Sequence, residues 1–161
     1  MSLETVTVIG AGAWGTALAQ AAAMAGRQVS LVVRTEEHAD LINTTRQNDA
    51  ALPGQKLLDN LVAVPRFTGA DIVILAVPAQ ATRTVLTDIE PGLLAGRPVV
   101  LSAKGLEAGT LARQSEILAD MASDAVPYVL SGPSFAADVA AGRPTAVTLA
   151  GDDADATSAL A

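Results

Sequence analysis

The chain has 161 residues, half of them hydrophobic, which is the length and composition of one domain with a substantial buried core. Its formal net charge of −7 argues against nucleic acid and anionic membranes as partners, and no apolar run approaches the length of a membrane span. Cysteine is absent and there is one histidine, which excludes disulfides and leaves too few soft ligands for a transition-metal cluster. Since no secretory leader pattern is present either, we expect a cytoplasmic protein with no metal site, membrane insertion or nucleic acid partner.

The first predicted elements are an apolar strand, a glycine-rich turn and a helix. Residues 5–9 read Thr-Val-Thr-Val-Ile, residues 10–15 read Gly-Ala-Gly-Ala-Trp-Gly, and an alanine-rich helix is predicted over residues 15–25. This order is the context that the dinucleotide-binding fingerprint G-x-G-x-x-G requires. Gly10 permits the tight turn out of the strand, Gly12 lets the backbone approach a pyrophosphate, and Gly15 lets helix and strand pack closely. The phosphates would meet the N–H groups at the helix start, and the alternative is a glycine-rich turn without a ligand.

The end of the second predicted strand, residues 29–33, bears on the choice of cofactor. In NAD-binding sheets an acidic residue about 20 positions after the glycine motif accepts a hydrogen bond from the ribose 2′-hydroxyl. Here the residue is Arg34, 24 positions after Gly10, and an arginine pairs instead with a 2′-phosphate. NADP is therefore the preferred cofactor and NAD the alternative. A solvated arginine at a strand end is the interpretation without a ligand.

Strands and helices alternate along the rest of the chain. In order, the sequence predicts a helix capped by Thr35, strands at 61–64 and 72–77, a helix at 79–87, a strand at 99–101, a helix at 111–121, a strand at 128–130, a helix ending near 141, a strand at 145–150 and a helix from 154. Three of the strands are uniformly apolar, as strands covered on both faces are. This pattern predicts an α/β fold of Rossmann type, with a doubly wound, mostly parallel sheet and helices on both faces.

The last predicted helix begins at favourable start residues, Asp152 and Asp153, but the sequence after it offers no C-cap, glycine or proline. We therefore expect residues 1–161 to be an N-terminal cofactor-binding domain that is truncated inside or near its last helix.

Several motifs in the predicted order resemble the bacterial NAD(P)-dependent glycerol-3-phosphate dehydrogenases. They are residues 10–15 with the following Thr16-Ala17-Leu18, Arg34, Asn48 through Leu52-Pro53-Gly54, Val77-Pro78-Ala79-Gln80, Ala103-Lys104-Gly105-Leu106-Glu107 and Ser131-Gly132-Pro133-Ser134-Phe135-Ala136. The resemblance runs from about Thr5 to the last residue. It implies an oxidoreductase that interconverts dihydroxyacetone phosphate and sn-glycerol 3-phosphate with NAD(P)H, for glycerophospholipid synthesis.

The resemblance also implies roles for individual residues. Those matched to cofactor contacts are Ala13 and Trp14 at the pyrophosphate, Arg34 at the 2′-phosphate, Lys104 and Ala136. Those matched to substrate contacts are Lys104, Gly132 and Ser134. The family position of Ala13 is often serine, and Asp138 stands where glutamate is more usual. For Lys104, the alternative is a solvated loop lysine.

Family members are about twice as long, and an all-helical C-terminal domain supplies the general acid/base lysine and most of the groups that hold the substrate phosphate. The resemblance therefore implies that this chain contains no catalytic residue, lacks a C-terminal helical partner domain and is inactive alone, and it leaves a homodimer open. Two other functions also remain: the NADP-binding domain of another 3-hydroxyacid or ketopantoate-type dehydrogenase, and a dinucleotide-binding module without chemistry.

Overall fold

The computed structural model describes residues 3–161, which form one seven-stranded sheet with helices packed against it. The strands are β1 (Thr5–Ile9), β2 (Gln28–Val32), β3 (Leu61–Val64), β4 (Ile72–Leu75), β5 (Pro98–Leu101), β6 (Val126–Ser131) and β7 (Thr148–Ala150). The helices are α1 (Ala13–Met24), α2 (Glu36–Thr45), α3 (Thr82–Thr87), α4 (Gln114–Met121), α5 (Ala136–Ala140) and α6 (Ala154–Leu160), and a 3-10 turn at Ala79–Ala81 precedes α3. None of the helices in residues 3–161 combines the length and the apolar character needed to cross a membrane.

The strand order confirms the predicted doubly wound sheet. It is β3-β2-β1-β4-β5-β6-β7, with all neighbours parallel except β6 and β7. Strands β2 and β3 are added in order on one side of β1, and β4 then lies on the other side of β1. This reversal leaves a crevice at the carboxyl ends of β1 and β4, which is where open α/β sheets bind ligands.

The central strands are covered on both faces, as their uniformly apolar sequences predict. In β1, Val8 packs in the cluster under α1 and α2, whereas its neighbour Ile9 packs in the cluster under α3 and α4. In β4, Ile72 belongs to the first cluster and Val73 to the second. Because successive side chains of a strand point to opposite faces, a strand with helices on both sides is buried at successive positions, and in β1 this includes Thr7.

The predicted elements are present, but some begin elsewhere because of tertiary contacts. The helix predicted over residues 111–121 begins at Gln114. Leu111 has a φ of 59° and its N–H donates to the Glu107 carbonyl at 2.9 Å, so residues 107–111 form a separate turn. The predicted cap of α2 is confirmed, since the Thr35 hydroxyl accepts a hydrogen bond from the His38 N–H at 3.2 Å.

The last strand is shorter than its sequence predicts. The prediction covered residues 145–150, but β7 begins at Thr148, where it pairs with Ser131 at the end of β6. Immediately before β7, the Ala146 carbonyl accepts a hydrogen bond from the Ser134 hydroxyl at 2.8 Å. The chain there is held by a side chain from the loop after β6, because β6 has already ended.

Candidate functional site

The glycine-rich turn joins β1 to α1 at the carboxyl edge of the sheet. Gly10 has a φ of 112°, and Gly12 is the extended N-cap of α1, with φ −72° and ψ 178°. The N–H groups of Ala13, Trp14 and Gly15 then open the helix, where such groups have no intrahelical partner. Together with the positive end of the helix dipole, they form an anion-binding start of a 12-residue helix.

The three glycines of the motif differ in what surrounds them. A Cβ on Gly10 would lie 2.6 Å from the Ala76 carbonyl oxygen, and a Cβ on Gly15 would lie 1.8 Å from the Gly10 carbonyl oxygen. Both positions therefore require glycine for the fold itself. A Cβ on Gly12 would meet no heavy atom within 4 Å. The space beside Gly12 is open, and it is the room that a pyrophosphate lying on the turn would need.

The backbone of the glycine turn is held by Asn48, a buried polar residue whose structural role the sequence alone does not indicate. Its side-chain amide donates to the Ala11 carbonyl at 3.0 Å and to the Thr16 hydroxyl at 2.8 Å. Its carbonyl oxygen contacts His38 Nε2 at 3.2 Å, so the histidine belongs to this network as well. The segment after α2 thereby holds the backbone of the glycine turn in one conformation.

Arg34 lies two residues beyond the end of β2, at the same edge of the sheet. Its side chain is exposed, and it forms no ion pair within residues 3–161. The two carboxylates that follow, Glu36 and Glu37, occupy the first turn of α2, where they complement the helix dipole. The guanidinium thus remains available to an anionic ligand.

Lys104 follows β5 at the same edge. Its side chain is exposed, and its Nζ donates to the Gly132 carbonyl at 3.2 Å. This contact brings together two of the segments predicted to bind substrate, the loop after β5 and the loop after β6. An ammonium group has three donors, so two remain for a ligand.

The loop after β6 is built against the segment that precedes β7. A Cβ on Gly132 would lie 2.8 Å from the Ala146 carbonyl oxygen, so the fold alone already accounts for glycine at this position. The Ser134 hydroxyl donates to that same carbonyl at 2.8 Å. Its oxygen lone pairs are still able to accept a hydrogen bond from a ligand.

Helix α5 places Ala136 against the start of α1. Ala136, Ala13 and Trp14 pack around a small apolar cluster that contains Val139 and Ala140. The residues predicted to contact the cofactor from the two motifs therefore adjoin one another. The neighbouring Phe135 is 75% exposed and does not pack against the sheet.

The predicted site residues thus follow the carboxyl edge in one order. Arg34 is at the end of β2, the glycine turn at β1, Lys104 at β5 and Gly132 at β6, and these strands are arranged in that sequence across the sheet. A cavity of about 230 Å³ lies at the opposite edge of the sheet, near Leu94. Within residues 3–161, no group of three or more His, Cys, Asp or Glu side chains is placed to hold a metal ion.

A family model described as the N-terminus of NAD-dependent glycerol-3-phosphate dehydrogenase matches residues 5–157. The chain belongs to this family. Among curated relatives, it is 48% identical over 160 residues to the glycerol-3-phosphate dehydrogenase (NAD(P)+) of Bradyrhizobium sp. (strain ORS 278), with 98% of this chain and 49% of the relative covered. It is 46% identical over 163 residues to that of Parvibaculum lavamentivorans, with 99% and 49% covered.

Solved structures of the family agree with this fold. The crystal structure of glycerol-3-phosphate dehydrogenase from Coxiella burnetii superposes with a TM-score of 0.86 at 30% identity, covering 98% of this chain and 49% of that one. The chain therefore spans about half the length of the family members that it matches. Membership of this family favours the glycerol-3-phosphate dehydrogenase function over the two alternatives that the sequence left open.

Proposed function

We propose that this chain is the cofactor-binding part of an enzyme that interconverts dihydroxyacetone phosphate and sn-glycerol 3-phosphate with NADPH, or alternatively NADH. The names of the relatives support the reaction. The observation that carries the proposal is the order of Arg34, the glycine turn, Lys104 and Gly132 along one sheet edge. That is the order in which an extended dinucleotide presents its 2′-phosphate, its pyrophosphate and its nicotinamide, followed by the substrate. A cytoplasmic location remains a prediction from the sequence.

In this proposal the start of α1 holds the pyrophosphate. The N–H groups of Ala13 and Trp14 would donate to phosphate oxygens, and the open space beside Gly12 would admit them. Arg34 would pair with the 2′-phosphate of NADPH, which distinguishes NADPH from NADH. The fit rests on a helix start whose N–H groups are free and on a nearby arginine without an ion pair in residues 3–161.

The substrate would lie between the loops after β5 and β6. NADPH, when bound, supplies the hydride that reduces the carbonyl carbon of dihydroxyacetone phosphate. Lys104, exposed and already anchored to the Gly132 carbonyl, would stabilise negative charge that develops on the carbonyl oxygen. Ser134 would accept a hydrogen bond from a substrate hydroxyl while its own O–H continues to donate to the Ala146 carbonyl.

We further propose that the proton donor and most of the clamp on the substrate phosphate come from residues outside these 161. General acid catalysis contributes about 10²–10⁴-fold, and substrate positioning contributes more. The isolated chain should therefore bind NADPH without measurable reduction of dihydroxyacetone phosphate.

The test follows NADPH absorbance after addition of dihydroxyacetone phosphate. It compares the 161-residue chain, the same chain joined to the C-terminal half of a family member, and that longer protein carrying Lys104→Ala. We expect turnover by the longer protein, a strong loss of turnover in its Lys104→Ala variant and no turnover by the 161-residue chain. Turnover by the isolated chain would show that the proton donor lies within it, and failure of NADPH to bind would refute the proposal.

A further inference from the structure

The loop that carries Lys104, residues 102–113 between β5 and α4, combines hydrogen bonds of its own with contacts from neighbouring elements. It contains three residues in the left-handed region, Gly105 at φ 104°, Gly109 at φ 89° and Leu111 at φ 59°. Its polypeptide is mostly exposed. Because so exposed a segment opens easily, contacts from neighbouring elements contribute to its position.

One set of contacts comes from the segment between β4 and α3. The Gln80 amide donates through Nε2 to the Leu106 carbonyl at 2.8 Å and accepts through Oε1 from the Ala108 N–H at 2.7 Å. A single side chain thus pairs with the loop backbone much as a neighbouring strand would. A second amide, Gln114 Nε2, donates to the Gly105 carbonyl at 3.2 Å.

The other contact is an ion pair. Arg83 of α3 donates through Nε and Nη2 to the two oxygens of Glu107, at 2.8 and 3.1 Å, and through Nη1 to Asp120 of α4 at 2.5 Å. Thr110 also donates to the Glu107 carboxylate, at 2.5 Å. The Arg83 guanidinium and the Thr110 hydroxyl hold the pKa of Glu107 below its usual range.

This ion pair differs from the others in the described residues. Glu107 is the least exposed of their carboxylates, at 12%, and it is 24 residues from Arg83 in sequence. By contrast, Arg113 pairs with Glu116 three residues away, with both side chains largely exposed. A bidentate pair between distant elements fixes geometry as well as charge.

We propose that Arg83 is a positioning residue, whose guanidinium holds Glu107 and thereby fixes the loop that presents Lys104 to the nicotinamide end of the cofactor and to the substrate. The inference rests on the proposed function, because that function places Lys104 at the ligand. Arg83 itself lies on α3 and acts only through the loop.

The chain offers a direct readout, because it contains two lysines, Lys56 and Lys104, and both are exposed. An acylating reagent followed by mass spectrometry reports each amine separately. In the wild-type chain, NADPH should protect Lys104 from acylation and leave Lys56 unprotected. In Arg83→Ala, protection of Lys104 at saturating NADPH should be largely lost.

The affinities for two ligands distinguish a positioning role of Arg83 from a general loss of structure. Arg83→Ala should weaken NADPH binding about tenfold and leave the affinity for 2′,5′-ADP unchanged, since 2′,5′-ADP reaches Arg34 and not Lys104. Adding Lys104→Ala to Arg83→Ala should cause little further loss, because both act on the same contact. Arg83→Lys, which keeps the charge without the fork, should recover part of the affinity.

The matched control is Arg97→Ala, which breaks an arginine–carboxylate contact with Asp71 at 3.6 Å at the amino edge of the sheet. It should change neither ligand's affinity. If Arg83→Ala does not fold by circular dichroism, Glu107→Gln tests the same link while keeping the shape of the side chain.

Equal losses of NADPH and 2′,5′-ADP, or no loss of either, would overturn the positioning role. A wild-type chain that binds 2′,5′-ADP but shows no NADPH protection of Lys104 would overturn it too. A wild-type chain that binds neither ligand would refute the proposed cofactor site itself, which is a different result.

Discussion

The glycine motif allows its two physical roles, ligand approach and chain packing, to be separated by mutation. Gly12→Val should strongly weaken dinucleotide binding and spare the fold, because a Cβ at Gly12 meets no protein atom within 4 Å and the backbone φ of −72° suits any residue. The side chain would instead fill the space proposed for the pyrophosphate. Gly15→Ala should have the opposite character, since its Cβ would lie 1.8 Å from the Gly10 carbonyl oxygen.

The magnitudes differ accordingly. For Gly12→Val the cost in stability should stay below about 1 kcal/mol, the usual effect of an unfavourable N-cap residue. NADPH affinity should fall by more than about tenfold, or about 1.4 kcal/mol. For Gly15→Ala the turn and α1 must separate, and overpacking of this kind costs about 1–3 kcal/mol or more. Its effect on binding would then follow from the displaced turn.

Urea denaturation followed by circular dichroism measures the first quantity, and titration of NADPH by fluorescence or calorimetry measures the second. The informative result is the contrast between the two variants in the same pair of assays. A folded Gly12→Val chain that retains wild-type affinity for NADPH would remove the glycine motif from the functional argument. A Gly15→Ala chain as stable as wild type would contradict the packing role.

Three other variants or conditions test separate parts of the site. Arg34→Ala should weaken NADPH binding by about 1.5–3 kcal/mol, the value of a charge-assisted contact, and leave NADH nearly unchanged; calorimetry with both cofactors would contradict this if the NADPH preference survives. Asn48→Ala should lower the free energy of unfolding by about 1–3 kcal/mol, since it leaves buried hydrogen-bond partners unsatisfied, and it should also weaken NADPH binding. The control Asn60→Ala, which removes two hydrogen bonds to backbone carbonyls, should lower stability without changing NADPH binding. Hydrogen bonds depress the pKa of Glu107 in the folded chain, so its stabilising contribution is complete above the ordinary value of 4.5 and is lost as the pH falls through the lower folded-state pKa. Amide exchange in residues 105–112 should then rise relative to amide exchange in β5. If the ratio of the two exchange rates stays constant, the ion pair of Glu107 does not stabilise the loop.

The parts of the molecule that the sequence predicts are those fixed by local chemistry. An apolar strand, three spaced glycines and a helix start are contiguous, so the turn at Gly10 and its place beside α1 follow from sequence alone. Likewise, Thr35 followed by two glutamates is sufficient to place the start of α2. Regular alternation of such elements then predicts the parallel sheet.

The contacts that fix the geometry of the site are not predicted by local sequence, because they join residues far apart in the chain. Asn48 donates to the Thr16 hydroxyl, 32 residues away, and although it belongs to a motif of the family resemblance, the local sequence does not indicate that it is buried against the glycine turn. The turn at Leu111 is similar, since a leucine at positive φ contradicts local preference. Its conformation follows from hydrogen bonds to Glu107, and the position of Glu107 is in turn set by Arg83 on another element.

Electrostatics explains how an acidic chain can favour an anionic cofactor. The net charge of −7 repels phosphates at long range, but solvent and salt screen that repulsion beyond about 8–10 Å. What decides binding is therefore which cations remain unpaired near the site. Five arginines form ion pairs within residues 3–161, namely Arg46, Arg83, Arg97, Arg113 and Arg143.

Of the remaining basic residues, Arg34, Arg66 and Lys104 follow β2, β3 and β5 respectively, and all three are exposed. The described part of the chain thus uses carboxylates to neutralise most of its other arginines and leaves positive charge at the carboxyl edge, beside the start of α1. There the helix dipole has the same sign. The unpaired cations and the start of α1 thus favour a phosphate-rich ligand at this edge, although the molecule as a whole is negative.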